Sequence, residues 1–254
     1  MSLSVIPVKS TLKKQKFDLF ESVVYDIKNS SLTVENGDVL VISSKYVANS
    51  QGRVLECDKV IPSIDAKKVS HRFRLKPEIA EIILRESDFL FGGIPGFIIT
   101  SSDNIMAPNA GIDKSNTQQG TVVLYPNEPY LVAEHLRRRF LLKFNVHVGI
   151  IIADSRLMPG RVGTVGVAIA CSGIEPTNDL RGELDLYGNP LKVTFQAVAD
   201  DLATVATLKM GEGSDVIPYA LIKNSGTKLT DRKILGSEMA ISYDQCVYVR
   251  GLRM

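Results

Sequence analysis

One stretch, Gly149–Gly173 (GIIIADSRLMPGRVGTVGVAIACSG), constrains the fold more than any other. A strongly apolar run, Ile150–Ala153, stops abruptly at Asp154–Ser155. A segment broken by Gly and Pro and carrying Arg156 and Arg161 follows, and then a second apolar run, Val165–Cys171. Near-continuous β-branched runs of this length read as buried strands. The pattern therefore predicts strand, polar loop, strand. It puts Asp154 at the tip of a buried strand, a rigid support of the kind that a catalytic or metal-binding carboxylate needs. Asp is also a common turn residue, and the same position is compatible with a carboxylate that only opens a turn.

The rest of the chain alternates helix-period and strand-period segments, which predicts an α+β protein. Leu3–Val8 reads as a first strand and Phe17–Ile27 as a helix, with a basic cluster (Lys13, Lys14, Lys16) between them that reads as a solvated loop. Val39–Ile42 is a buried strand followed by Ser43–Ser44–Lys45. Hydroxyls and an ammonium there suit phosphate, although Lys45 taken alone reads as a surface lysine. Pro77 opens a helix to Glu86, and Phe97–Thr100 and Val122–Leu124 read as strands. Between those two strands, Ala107–Gly120 is polar and holds Asn109, Asp113 and Asn116.

Pro129–Phe144 reads as a helix with Leu131, Leu136, Leu141 and Leu142 inward and Arg137–Arg139 as a solvated face. Ile174–Pro190 is a charged excursion with almost no hydrophobic period. Excursions this long within a compact protein are usually functional or disordered. Leu191–Thr194 is expected as a short strand, and Gln196–Met210 as a helix with Val198, Leu202, Val205 and Leu208 inward. That helix stops at Gly211–Glu212–Gly213. Val216–Ile222 and Cys246–Arg250 read as the last strands. No internal repeat or linker marks a boundary, so residues 1–254 are taken as a single domain, with two intimately packed subdomains as the alternative.

Composition excludes several classes. A net charge of +2 argues against a protein that coats nucleic acid. No apolar run is long enough to span a bilayer, and Met1–Ser10 lacks the pattern of a signal peptide. Cys57, Cys171 and Cys246 are scattered and odd in number, which suggests reduced thiols in a cytoplasmic protein; Cys171, at the end of a buried run, reads as packed and inert. There is no P-loop, dinucleotide fingerprint, nucleophile elbow or paired-histidine metal motif, and His71, His135 and His147 read as structural or surface residues. What remains is rich in oxygen. Asp113, Asp154 and Glu212 each stand where an element meets a glycine-containing loop, and three such carboxylates suit one or two hard divalent cations. Lys45, Arg156 and Arg161 suit anionic oxygens. Acids for a metal and bases for phosphate are the general equipment of phosphoryl transfer.

At these residues the chain resembles the coenzyme F420-0:gamma-glutamyl ligases. The resemblance is carried in order by GDVLVISSKYV, GRV, NAGID with SN, DSRLMPGRVGTVGVAI, GIEPTNDLRGELDLYGNPLKVT, AVADDLATVATLKMGEG and IPYALI. It implies a mixed-sheet α+β fold forming an intertwined homodimer. It also implies a GTP-dependent ligase that adds L-glutamate to F420-0 through an acyl phosphate, with Mn2+ or Mg2+ as one or two ions and K+ as a further candidate. Carried over, Asp113, Asp154, Ser155 and Glu212 correspond to metal ligands. Pro7, Val8, Lys9, Ser10, Ser44, Lys45, Asn116, Thr207, Met210, Gly211, Gly213 and Ser214 correspond to nucleotide contacts. Asp154, Lys45 and Arg161 are the expected catalytic residues.

The chain departs from the family pattern at Asn49 and Gln51 (many members have Lys and Glu), at Gly160 (commonly aromatic) and at Ser155 (commonly Thr). The first two changes bear on contacts to the acceptor. Two other readings stay open at this level: a ligase for another carboxylated cofactor, and a non-catalytic nucleotide- or deazaflavin-binding module. A set of three acids beside a phosphate site argues for a metal-bridged enzyme, since acids without a cation would repel the phosphate. Small molecules and a second copy are the expected partners, with no nucleic acid and no membrane.

Overall fold

In a computed structural model, residues 2–13, 15–102 and 105–251 are described; Lys14 of the basic cluster lies outside the described residues. In chain order the strands and helices are β1 (Ser4–Val8), α1 (Leu19–Asn29), β2 (Val39–Ser43), α2 (Ser44–Gln51), β3 (Val54–Glu56), α3 (Ile64–Phe73), α4 (Pro77–Glu86), β4 (Phe89–Ile94), β5 (Phe97–Ser102), β6 (Ile105–Pro108), β7 (Thr121–Val123), α5 (Pro129–Phe144), β8 (Gly149–Leu157), β9 (Thr164–Ser172), β10 (Asn178–Asp179), β11 (Phe195–Gln196), α6 (Val198–Met210), β12 (Tyr219–Lys223) and α7 (Val247–Gly251).

The main sheet is five-stranded, in the order β1-β12-β2-β8-β9. It is mixed: β2 and β8 are parallel, and the other neighbours are antiparallel. Its central strands are apolar on both faces because both faces are covered. Ile150 and Ile152 join Leu40 and Ile42 under α1, α2 and α5. Ile151 and Ala153 join Val39 and Val41 under α6. A smaller three-stranded sheet, β4-β5-β6, packs with α3 and α4 around Ile82, Ile83 and Ile98. The fold class is thus α+β with a mixed sheet, as expected.

Several local expectations are corrected. The strand that begins at Gly149 runs through Asp154 and Ser155 to Leu157, so the connection to β9 is only the short segment after it. In α5 the inward face is Ala133, Leu136, Arg137 and Phe140, while Leu131 and Leu142 are exposed. The apolar stripe is rotated because a buried arginine holds a place on it. Arg137 donates to Glu134 and Asp231 and packs beside Gly173, so the arginine triplet is not a solvated face. In α6 the inner face is Ala199, Leu202, Ala203, Ala206 and Met210, and Leu208 points outward. Small residues win there because α6 lies very close to β9. The expected strand at Leu191–Thr194 is displaced to β11, and the last strand within Val216–Ile222 starts at Tyr219. Cys246–Arg250 belongs to a helical turn instead of a strand, because the amides of Cys246 and Arg250 bond to the carbonyls of Ser242 and Cys246. Cys171 is buried, and burial pushes its thiol up to about 12, which makes it the inert thiol expected.

Candidate active-site cleft

The carboxyl ends of β2 and β8, which run side by side in parallel, open into a cleft of about 750 Å3. Ligand sites favour this location in sheets with parallel strands, because the loops leaving the strand ends diverge there. Strand alternation sorts the side chains. Asp154 and Arg156 follow Ile152 on the face that carries α2, and Ser155 follows Ala153 on the face that carries α6. A register shift between Ile152 and Ala153, where Ile169 is skipped in the pairing with β9, sits just before Asp154. Such bulges re-aim the residues that follow. The amide of Ala168 beside the bulge is taken up by Asp200 Oδ1 at 2.8 Å, so α6 is tied to the same point.

Asp154, Asp113 and Glu212 each have a partner of their own in the cleft. Ser44 Oγ, at the start of α2, donates to Asp154 Oδ1 at 2.7 Å, and Arg156 Nη2 stands 3.0 Å from Asp154 Oδ2. Lys45 Nζ lies 3.0 Å from Asp113 Oδ2 and also donates to the Ser115 carbonyl. Burial pushes the Asp113 carboxyl up, but hydrogen bonds from Ser115 and the Lys45 charge outweigh it, and the net shift is downward. Ser155 Oγ donates to Glu212 in the turn after α6. That turn is fastened on its other side by Asn116 Nδ2, which donates to the Gly213 carbonyl at 3.0 Å.

Gly166 explains how the turn reaches the cleft. A Cβ there would lie 2.2 Å from Thr207 Oγ1 and 2.5 Å from the Ala203 carbonyl. Only glycine lets α6 settle this low on β9, and Thr204 Oγ1 donates to its carbonyl at 2.7 Å. At the far end of the turn Val216, a β-branched residue, is held at φ 52°. Such strain in a β-branched residue is kept only where the surroundings enforce it.

The cleft is lined by Lys45, Asp113, Asn116, Asp154, Ser155, Thr207, Met210, Gly211, Glu212, Gly213 and Ser214, all expected from the sequence. Ser44 does not line it and acts through its bond to Asp154. Pro7, Val8, Lys9 and Ser10 do not line it either. Pro7 and Val8 pair with Ala220 and Tyr219 inside the sheet, and the N-terminal contribution comes from Thr11, Leu12 and Lys13. Ser10 anchors that segment through its amide to Val216 and its hydroxyl to Tyr46. Arg161 is exposed and outside the lining, whereas Arg156 is buried and part of it. Asn49 lines the cleft. Gln51 does not: its amide bonds the Asn127 backbone in both directions, so this departure is structural. Gly160 is exposed and away from the lining. The sequence names Arg156 among the bases suited to anionic oxygens; that it shares a face with Asp154 follows only once the strand is extended to Leu157.

Hard oxygen donors from Asp113, Asp154, Ser155 and Glu212 around one cleft fit a divalent cation in kind. Among the described residues, however, no three His, Cys, Asp or Glu side chains stand close enough to share an ion. The acids are drawn instead to Lys45, Arg156 and Ser155.

The F420-0:Gamma-glutamyl ligase family profile matches residues 7–224. A Methanopyrus kandleri protein named coenzyme F420:L-glutamate ligase is 39% identical over 194 residues, 76% of this chain and 77% of the relative. Relatives with the same name come from Archaeoglobus fulgidus, 37% identical over 224 residues and 88% of each chain, and from Methanocaldococcus jannaschii, 35% identical over 79% of this chain and 80% of the relative. The chain belongs to the F420-0:gamma-glutamyl ligase family and is an enzyme of the ligase class. Among the described residues no helix is long and apolar enough to cross a membrane.

Proposed function

We propose that this protein joins L-glutamate to coenzyme F420-0 through an amide bond, using GTP, in the cytoplasm. The observation that supports the reading is that Asp113, Asp154, Ser155, Glu212 and Lys45 all line one cleft at the end of β8. In the reaction proposed, a carboxylate oxygen of F420-0 attacks the terminal phosphorus of GTP, and GDP leaves. The glutamate amine then attacks the acyl phosphate carbon, inorganic phosphate leaves, and one proton is lost from nitrogen. Lys45, within reach of the cleft floor on the rigid first turn of α2, would hold a phosphate oxygen. Asn116 and the 207–214 turn would hold the nucleotide. On leaving Lys45, Arg156 and Ser155, the acids Asp113, Asp154 and Glu212, with the Ser155 hydroxyl, would hold Mn2+ or Mg2+, which when bound would draw charge from the phosphate oxygens.

A homodimer is part of the proposal. The arm between β10 and β11 leaves Leu184, Leu186, Tyr187 and Val193 exposed, which supports cover by a second copy. The functional test is to incubate the purified protein with F420-0, L-glutamate, GTP and Mn2+, then omit each in turn. The expected result is a product heavier by one or more glutamyl residues only in the complete mixture. No such product, with the nucleotide still bound, would overturn the reading in favour of a binding module.

A further inference from the structure

Arg156 is the least explained charged group in the molecule. It is 4% exposed, yet its Nε and Nη2 are buried without a hydrogen-bond partner. Asp154 Oδ2 lies 3.0 Å from Nη2, an ion pair whose direction does not make a hydrogen bond. Nε and Nη2 lie along one edge of the guanidinium. That edge is the planar fork that takes two oxygens of a carboxylate or phosphate at once. The rest of the group is well seated. It rests 5.8 Å from the Tyr125 ring, and Gly111 leaves room for that ring, since a Cβ there would stand 2.9 Å from Tyr125 Cδ2. Buried donors left unbonded cost free energy, and one that lines a cleft is open to a partner from within it.

We infer that Arg156 is the oxyanion-binding arginine of the cleft, taking a phosphate or carboxylate of a bound substrate along its Nε–Nη2 edge. This deepens the reading above and rests on it. Were Asp154 to ligate a cation, its oxygen would leave the place beside Nη2, and a substrate oxyanion of like charge and shape would take it. The exchange keeps the buried guanidinium paired throughout. The inference also accounts for Arg161: an exposed side chain outside the lining cannot supply a desolvated contact, and Arg156 can.

The test compares the wild type with Arg156→Lys, which keeps the buried charge and removes the fork, and with Arg156→Gln. KM is measured separately for GTP, L-glutamate and F420-0, with the melting temperature of each protein and calorimetric binding of GTP and of glutamate in Mn2+. The expected result is a rise of at least about tenfold in KM and Kd for one anionic substrate in Arg156→Lys, the others changing less than about threefold. A rise confined to GTP assigns the phosphate, and a rise confined to glutamate or F420-0 assigns a carboxylate. Unchanged KM for all three, or equal rises for all three together with a lowered melting temperature, would overturn the inference. Wild-type protein that adds no glutamate would count against the functional reading, whereas an active wild type with an indifferent Arg156→Lys would count against this inference alone.

Discussion

Two buried arginines lie at opposite ends of β8, and their surroundings differ. Arg137, beside the start of the strand, uses its whole guanidinium. Nε and Nη2 donate to Glu134 at 2.8 and 3.0 Å, and Nη1 donates to Asp231 at 2.7 Å. Arg156, at the other end, leaves its Nε–Nη2 edge unbonded beside one carboxylate. Both groups bear the same cost of leaving water. At Arg137 the protein repays it internally, which fixes α5 to the sheet. At Arg156 the repayment is incomplete, and the acids nearby face a cleft. Burial of charge alone therefore does not set the two arginines apart; the completeness of their hydrogen bonding does.

The sharpest way to break this comparison is at the acid beside Arg156. Asp154→Asn should lower the rate of glutamate addition by roughly 100-fold or more, because the proposed site would lose one of its charged groups, while the circular dichroism spectrum stays unchanged. Normal turnover would remove Asp154 from the site. Next comes the structural arginine. Arg137→Met should cost about 3 kcal/mol, since three charge-assisted hydrogen bonds are lost, although Glu134 keeps Arg138 and Ser172 and Asp231 is exposed to water. In a chain this size that lowers the melting temperature by roughly 6–12 °C. Arg156→Lys should move it by less than about 3 °C. Equal losses at the two sites would erase the distinction.

Gly166→Ala should be smaller, at about 1–3 kcal/mol of overpacking, but should also weaken nucleotide binding, because α6 and its turn are pushed off β9. A stability loss with unchanged nucleotide affinity would separate the turn from the site. The smallest effect is in acid. The Arg137 hydrogen bonds hold Glu134 down to about 2, against burial, so a group with a depressed folded-state value adds stability above the ordinary carboxylate range. That contribution should fade as pH falls from about 4.5 toward 2, and Glu134→Gln should flatten the decline in melting temperature over that window. Parallel curves for the two proteins would argue against it.

Much of this was legible in the chain. Ile150–Ala153 and Val165–Cys171 announced two buried strands, and the glycine-flanked acids announced an oxygen-rich site. The errors have common physical causes. The sequence pattern ends the strand at Asp154 because polar residues usually stop one, but the strand runs on beside β9 and carries Asp154 and Arg156 on one face. Leucine spacing points Leu208 and Leu142 inward; the close approach at Gly166 and the buried Arg137 give those inner faces to alanines and to an arginine. The separation of Gln51, which bonds the backbone, from Asn49, which faces the cleft, depends on contacts far along the chain and has no local signal.

The central claim is that the end of β8 gathers acids around a cation next to a nucleotide. Its most direct test is titration of Mn2+ into the protein with a non-hydrolysable GTP analogue, followed by electron paramagnetic resonance, in wild type and in Asp154→Asn. The account predicts a bound-Mn2+ signal in the wild type and an affinity weaker by at least about tenfold in the variant. Equal affinity in the two proteins would contradict it.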